Sequence, residues 1–260
     1  MDYQDIQCIG QQLHQALRER QAVAPLTDAN PEMTLAQAYQ VQLAMIQPRL
    51  DAGERVVGKK IGVTSKVVMD MLGVDQPDFG HLLSGMLYAN GATIALDSLI
   101  APKAEGEIAF VLKDDLRGPG ITVADVLRAT DYVMPCFEIV DSRIRDWKIR
   151  IQDTVADNAS AGAFVLGEQS VDPRDVDLAC VGMILEKNGE VVATGAGAAA
   201  LGHPANAVAW LANTLGHLGI GLNKGEVILS GSLAAMVPVQ AGDQLRISLG
   251  GIGSASVQFV

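Results

Sequence analysis

Glu105 and Glu107 occupy alternate positions in an otherwise apolar run, Glu105-Gly106-Glu107-Ile108-Ala109-Phe110-Val111-Leu112. Alternate side chains of a strand share a face, so both carboxylates point one way while Ile108, Phe110 and Leu112 point the other. Neighbouring carboxylates repel unless solvent or a cation separates them. An exposed strand face and a cation site both satisfy that pattern. Glu138, within Met134-Pro135-Cys136-Phe137-Glu138-Ile139-Val140, tips the balance. A carboxylate between Phe137 and Ile139 is costly to bury without a partner. Three carboxylates from two strands make an all-oxygen ligand set, suited to Mg²⁺ or Mn²⁺ rather than zinc. Three protein ligands leave about three octahedral positions for water and substrate, the arrangement of a catalytic metal.

Lys60 is the next group of interest. In Val56-Val57-Gly58-Lys59-Lys60-Ile61-Gly62 alternation sends one of the paired lysines inward. An inward ammonium beside a bound anion holds a carboxylate or enolate oxygen; two solvated strand lysines fit the spacing equally. Asp75-Gln76-Pro77-Asp78-Phe79-Gly80 has the composition of a turn. Asp78 is there either a general acid or base, or a turn aspartate bonded to its own backbone. Val155-Ala156-Asp157-Asn158-Ala159-Ser160 reads equally as a helix cap. The histidines His14, His81, His203 and His217 have no ligand spacing, and His203, before Pro204, reads as a helix cap rather than a base.

The elements that must position these groups are legible in outline. Ile6, Ile9, Leu13, Ala16 and Leu17 follow the spacing of one helix face. A second helix begins at Thr34 with Gln37 as its capping-box partner, and Pro48 is expected to bend or end it. A short strand covers 55–61, and Ser65 caps a brief helix that stops at Gly73. From Gln76 onward short β-rich runs dominate, at 82–88, 92–96, 105–112, 132–141, 163–166 and 181–186. Four more close the chain, at 227–230, 236–239, 244–249 and 254–260. Asn90-Gly91 and Asn188-Gly189 carry the signature of hairpin turns. Helices are expected at 122–130 and 204–215. Strands and helices do not alternate regularly, which argues against a doubly wound parallel sheet. The class is α+β: an N-terminal helical segment over 1–75 and a β-rich, mixed-sheet body over 76–260.

Composition bounds the function. The 260 residues carry a formal net charge of −11, without the basic footprint of a nucleic-acid binder. Hydrophobic residues make up 49%, ample for a core. Three widely spaced cysteines form neither a disulfide framework nor a zinc pattern, which favours a reducing compartment. The polar, acidic start has no signal-peptide pattern. The one long uncharged stretch, 191–223, holds His203, Pro204, Asn206 and Asn213, and reads as a buried helix with glycine-rich approaches rather than a membrane span. A cytoplasmic protein is expected.

Six blocks occur in order: Gly58-Lys59-Lys60-Ile61-Gly62-Val63-Thr64, Gly73-Val74-Asp75-Gln76-Pro77-Asp78-Phe79-Gly80, Ala104-Glu105-Gly106-Glu107-Ile108-Ala109-Phe110, Glu138-Ile139-Val140-Asp141-Ser142-Arg143, Asp153-Thr154-Val155-Ala156-Asp157-Asn158-Ala159-Ser160 and Leu229-Ser230-Gly231-Ser232. Together they resemble the 2-oxopent-4-enoate (2-hydroxypenta-2,4-dienoate) hydratases of bacterial meta-cleavage pathways, relatives of fumarylacetoacetate hydrolase. The resemblance runs nearly end to end. It implies a fumarylacetoacetase-type body and places the metal on Glu105, Glu107 and Glu138, the trio already selected on physical grounds. It further implies that Lys60, Asp78 and Ser160 are catalytic, with Thr64 and the Ser230-Gly231-Ser232 loop close to the substrate.

The implied substrate is a small 2-hydroxy or 2-oxo dienoic acid. The sibling 4-oxalocrotonate decarboxylases share the glutamate trio. Arg143-Ile144-Arg145-Asp146-Trp147-Lys148-Ile149 followed by Gln152-Asp153-Thr154 resembles the hydratase branch, whose members associate with the decarboxylase. A homo-oligomer and such a complex are the implied assemblies. Two other readings remain open. A decarboxylase needs a further cation for its substrate's second carboxylate, with Lys59, Arg143, Arg145 and Lys148 as candidates. A non-catalytic partner subunit is expected to have a broken trio.

Overall fold

The computed structural model describes residues 1–260, the side chain of Met71 excepted. Helix α1 (Tyr3–Glu19) opens on a reciprocal capping box between Asp2 and Asp5. After a single turn, α2 (Leu26–Ala29), α3 (Leu35–Asp51) opens on the expected Thr34–Gln37 box. This helix runs through Pro48 instead of ending there. Pro48 stands in the last turn, where it removes a single ladder bond. The remaining helices are α4 (Lys66–Leu72), α5 (Val123–Ala129), α6 (Ile151–Ala156) and α7 (Pro204–Gly216). Leu13, Val41 and Met45 pack with Ile151 and Val155, which joins α1, α3 and α6 into one layer.

The strands before residue 170 are β1 (Val56–Gly62), β2 (Asp78–Leu83), β3 (Leu87–Tyr88), β4 (Thr93–Ile94), β5 (Pro102–Leu112), β6 (Thr130–Asp141) and β7 (Ala161–Leu166). Those after it are β8 (Gly182–Lys187), β9 (Glu190–Ala196), β10 (Val227–Leu229), β11 (Val237–Pro238), β12 (Gln244–Leu249) and β13 (Gly253–Phe259). They form two mixed sheets. The larger has the order β2-β1-β10-β5-β6-β7-β3, with β11 added beside β5. The smaller has the order β4-β13-β12-β8-β9. The α+β class is the expected one, and β1 is a full member of the larger sheet although it lies within the N-terminal 75 residues.

The two sheets stack face to face. Phe110, Phe137, Ile139 and Val165 of the larger sheet meet Leu245, Ile247, Val257 and Phe259 of the smaller one in the main core, which α7 closes with Val208 and Leu211. The opposite face of the larger sheet is apolar at one end, where Ile46 of α3 packs with Leu82, Met134 and Phe164. The carboxylate-bearing positions of β5 and β6 lie on this second face.

Several local expectations change in three dimensions. Asn188-Gly189 does turn a hairpin, β8 into β9, with both residues at positive φ. Asn90-Gly91 does not: β3 pairs with β7 in one sheet and β4 with β13 in the other, so this turn carries the chain between sheets. Ser256 holds it, donating its amide to Asn90 Oδ1 at 2.8 Å and accepting from Gly91 N at 2.9 Å. The 191–223 stretch holds the buried α7, but its first residues form the edge strand β9. His203 caps α7 as expected, its Nδ1 accepting from Ala205 N at 3.0 Å. Among the described residues, no helix is long and apolar enough to cross a membrane.

Candidate active site

The antiparallel register of β5 and β6 sets Glu105 directly opposite Glu138 and Glu107 opposite Cys136. All three glutamates therefore project from one sheet face, and one carboxylate oxygen from each lies within 4.8 Å of the others. Glu107 and Glu138 are buried and Glu105 is partly exposed, so the cluster is open on one side only. Glu107 Oε2 accepts the amide of Gly231 at 2.7 Å. Its Oε1 and Glu138 Oε2 have no hydrogen-bond partner among the described residues, and Glu138 Oε1 is met only by the Lys60 ammonium.

Burial, then the charge of Glu138, raise Glu105 to about 7 and push Glu107 well above the ordinary carboxylate range. Burial also raises Glu138, against the pull of Lys60. Buried carboxylate oxygens without donors are expensive to ionise unless a cation supplies the missing partner. The donor set, its spacing and its orphaned oxygens fit a hard divalent cation.

Both lysines of β1 are buried, so neither the single inward lysine nor the solvated pair describes them. Alternation separates them onto opposite sheet faces. Lys59 Nζ is taken by both oxygens of Glu226 at 2.9 Å. Lys60 Nζ enters the carboxylate cluster, 3.2 Å from Glu138 Oε1, and donates to the carbonyl of Ala159 at 2.9 Å. Burial alone would lower its affinity for a proton, but Glu138, Asp78 and the other two glutamates outweigh it and hold Lys60 above an ordinary lysine.

Asp78 is no turn aspartate. It opens β2, opposite Gly62 of β1, and is 2% exposed. A Cβ placed on Gly62 would lie 2.3 Å from Asp78 Oδ1 and 3.3 Å from Lys60 Nζ, so the bare glycine makes room for both charged groups. Asp78 Oδ1 has no hydrogen-bond partner, and burial raises this carboxyl against the pull of Lys60. Four carboxylates thus face one ammonium, an excess of negative charge that a dication relieves.

The next residue after Gly62, Val63, takes a left-handed conformation at φ 57°, which is strained for a β-branched side chain. The kink carries Thr64 against Gly231, where φ is +101° and a Cβ would meet Thr64 Oγ1 at 2.4 Å. Gly231 thereby brings its amide to Glu107. Ser230 is fully buried with its hydroxyl unpaired, whereas the Ser232 hydroxyl donates to Ala234 O at 2.7 Å.

After α6, Asn158, Ala159 and Ser160 are all left-handed, at φ 54°, 48° and 53°. Ser160 is buried, and its hydroxyl lies 3.3 Å from Asp157 Oδ2. Asp157 is the buried partner of Arg143, whose guanidinium also reaches the carbonyls of Asp141, Asp157 and Ala161. Arg143 is therefore structural.

Three contributors escape a reading of residue types: the space at Gly62, the Ala159 carbonyl that anchors Lys60, and Asn158. The last accepts from His81 N at 2.8 Å and donates to His81 O at 2.9 Å, clamping the turn to β2. Only the alternation Gly58-Lys60-Gly62, small residues flanking a lysine on one face, signals any of this.

Residues 62–260 match the family model for the fumarylacetoacetate (FAA) hydrolase C-terminal region. The chain is 59% identical over 260 residues to 2-hydroxyhexa-2,4-dienoate hydratase of Comamonas testosteroni, covering 99% of this chain and 98% of that one. It is 61% identical over 221 residues to 2-hydroxypent-2,4-dienoate hydratase of Pseudomonas putida, covering 85% of this chain and 100% of that one. Among solved structures it is similar to 4-oxalocrotonate decarboxylase from Pseudomonas putida G7 complexed with magnesium and adipate. That match has a TM-score of 0.97 at 38% identity and covers 100% of this chain and 99% of the other. The glutamate trio at the heart of this sheet thus lies in a chain that belongs to the fumarylacetoacetate hydrolase family.

Proposed function

We infer that the protein is a hydro-lyase that adds water to 2-hydroxypenta-2,4-dienoate, the enol form of 2-oxopent-4-enoate, giving 4-hydroxy-2-oxopentanoate. The observation that carries the reading is the Glu105–Glu107–Glu138 cluster with Lys60 and Asp78 beside it, in a chain alike over 99% and 85% of its length to two dienoate hydratases.

Glu105, Glu107 and Glu138 would hold the metal, and the magnesium in the related decarboxylase structure favours Mg²⁺, with Mn²⁺ the alternative of matching chemistry. When bound, the ion supplies positive charge to a chelated 2-oxo acid. Lys60, fixed by Ala159 and Glu138, holds the substrate oxygen at C2 as charge develops there; a preorganised donor of this kind contributes about 3–4 kcal/mol.

Asp78 moves the protons. The dienol gives up its hydroxyl proton and gains one at C5, leaving an α,β-unsaturated 2-oxo acid. Water then adds its oxygen to C4 and C3 takes a proton, so one water enters and no atom leaves. Burial favours the protonated form of Asp78, and its unpartnered Oδ1 is the atom assigned to hold that proton. Ser160, Thr64 and the Ser230-Gly231-Ser232 loop bound the same site, and we assign them to positioning substrate or water. A cytoplasmic homo-oligomer, in complex with a decarboxylase that supplies the dienol, is the setting we propose.

The decarboxylase-like structure favours a second reading, decarboxylation of 2-oxo-3-hexenedioate. Against it, Glu226 holds Lys59 and Asp157 holds Arg143, so neither is free for a second carboxylate. The intact trio speaks against a non-catalytic partner subunit. Incubating the purified protein with each substrate and Mg²⁺ separates the readings. Loss of dienol absorbance without carbon dioxide release is expected; carbon dioxide release from the hexenedioate would reverse the assignment.

A further inference from the structure

A cavity of about 230 Å³ lies between the helical layer and the start of β2. Leu35 and Tyr39 of α3, Val74 beyond α4, and Ile151 and Val155 of α6 line it, and Asp78 closes one side. Asp78 also belongs to the charged cluster with Lys60, so cavity and cluster meet at this residue. The Tyr39 ring is fixed by stacking on Phe79, with centroids 4.4 Å apart and planes 17° from parallel.

The wall mixes hydrocarbon side chains with Gln76 and an acidic rim, and among its described residues it offers no cation. Among its described lining residues there is no lysine, arginine or histidine, while Asp75 and Asp78 are both present. A carboxylate entering this space would lose hydration, meet like charge and find no counter-ion. An alkyl group would exchange water for hydrocarbon contacts. The space is sufficient for one, since apolar cavities of about 150 Å³ admit a guest the size of benzene.

We propose that this cavity receives the distal end of the dienoate, and that Leu35 and Val74 make the enzyme selective for unsubstituted or alkyl-ended dienoates over those ending in a carboxylate. The proposal rests on the hydratase reading above. The 2-oxo acid head belongs at the glutamate trio, and the carbon chain then extends past Asp78, the proposed proton carrier, into the cation-free space beside Leu35, Val74, Ile151 and Val155. The N-terminal helical layer thereby becomes part of the substrate site rather than a cover over the sheet.

The test is kcat/KM on three dienols: 2-hydroxypenta-2,4-dienoate, the one-carbon-longer 2-hydroxyhexa-2,4-dienoate, and 2-hydroxyhexa-2,4-dienedioate with its terminal carboxylate. Leu35 and Val74 are both partly exposed, so each tolerates replacement, and they lie on separate segments. Wild type is expected to use the first two within about tenfold of each other and the dienedioate about a hundredfold less well. Leu35→Phe and Val74→Phe are expected to lower activity on the hexadienoate about tenfold relative to the pentadienoate. Val74→Lys should raise use of the dienedioate relative to the hexadienoate. An unchanged hexadienoate-to-pentadienoate ratio in both Phe variants, or wild-type use of the dienedioate equal to the hexadienoate, would overturn the assignment. Turnover of none of the three by wild type would overturn the hydratase reading itself, and this one with it.

Discussion

Lys60 donates its ammonium to the carbonyl of Ala159 at 2.9 Å, and Ala159 is the middle of three successive left-handed residues. A non-glycine residue in that conformation costs about 1–2 kcal/mol, so the turn persists because its surroundings impose it. Asn158 is the visible restraint, bonded to both the amide and the carbonyl of His81. Asn158→Ala is expected to lower kcat about a hundredfold by letting Lys60 drift, together with a loss of stability of about 1–3 kcal/mol. If Asn158 acts through Lys60, adding Asn158→Ala to Lys60→Gln costs little further activity. Fully additive losses in steady-state kinetics would contradict this.

Gly62→Ala tests the space shared by Asp78 and Lys60. The added methyl would stand 2.3 Å from Asp78 Oδ1, and one charged group must give way. Gly62 lies in a strand and not in the left-handed region, so the backbone tolerates alanine. A fall in kcat of about tenfold or more is expected, with the thermal midpoint within a few degrees of wild type. A fully active Gly62→Ala enzyme would show that this close approach is unimportant.

The sheet and its trio were readable because alternation is a strict rule. Glu105 and Glu107 had to share a face, and only a costly burial explained Glu138. Where single residues serve long-range geometry, local reading failed. Asp78 sits in a turn-like sequence, yet pairing of β2 with β1 draws it into the core. Asn90-Gly91 has hairpin chemistry, but its flanking strands find partners far along the chain. Lys59 gave no sign of being buried, because its partner Glu226 lies 167 residues away.

Arg143 and Asp157, both wholly buried, make an ion pair that should be costly to break. Arg143→Met leaves a buried carboxylate without its partner and is expected to cost about 3–5 kcal/mol in urea unfolding. Asp157→Asn introduced alongside should recover part of that loss. Equal stability of wild type and Arg143→Met would refute the structural role given to this arginine.

His81 sets an acid limit on stability. Gln42 spends its amide nitrogen on the carbonyls of Phe79 and Val155, so its Oε1 accepts from His81 Nδ1 at 2.9 Å. Burial, then the nearby Lys59 charge, hold this imidazole at about 4, below the ordinary 6.5. The folded state therefore prefers the neutral ring. That contribution is complete above about pH 6.5 and is lost as pH falls through about 4, with a slope of up to about 1.4 kcal/mol per pH unit. Urea unfolding at pH 7, 6 and 5 should show a shallower pH dependence for His81→Gln than for wild type. Identical slopes would place the titration elsewhere.

The proposed hydration requires the three carboxylates on one sheet face to gather a divalent ion. Calorimetric titration of Mg²⁺ into EDTA-stripped wild type and Glu107→Gln, with dienol hydration followed on the same samples, tests it most directly. One ion per chain should bind to wild type and restore turnover, while the folded Glu107→Gln protein loses both. A stripped enzyme that hydrates the dienol at the full rate, or a Glu107→Gln variant that binds Mg²⁺ and turns over like wild type, would rule out this metal requirement.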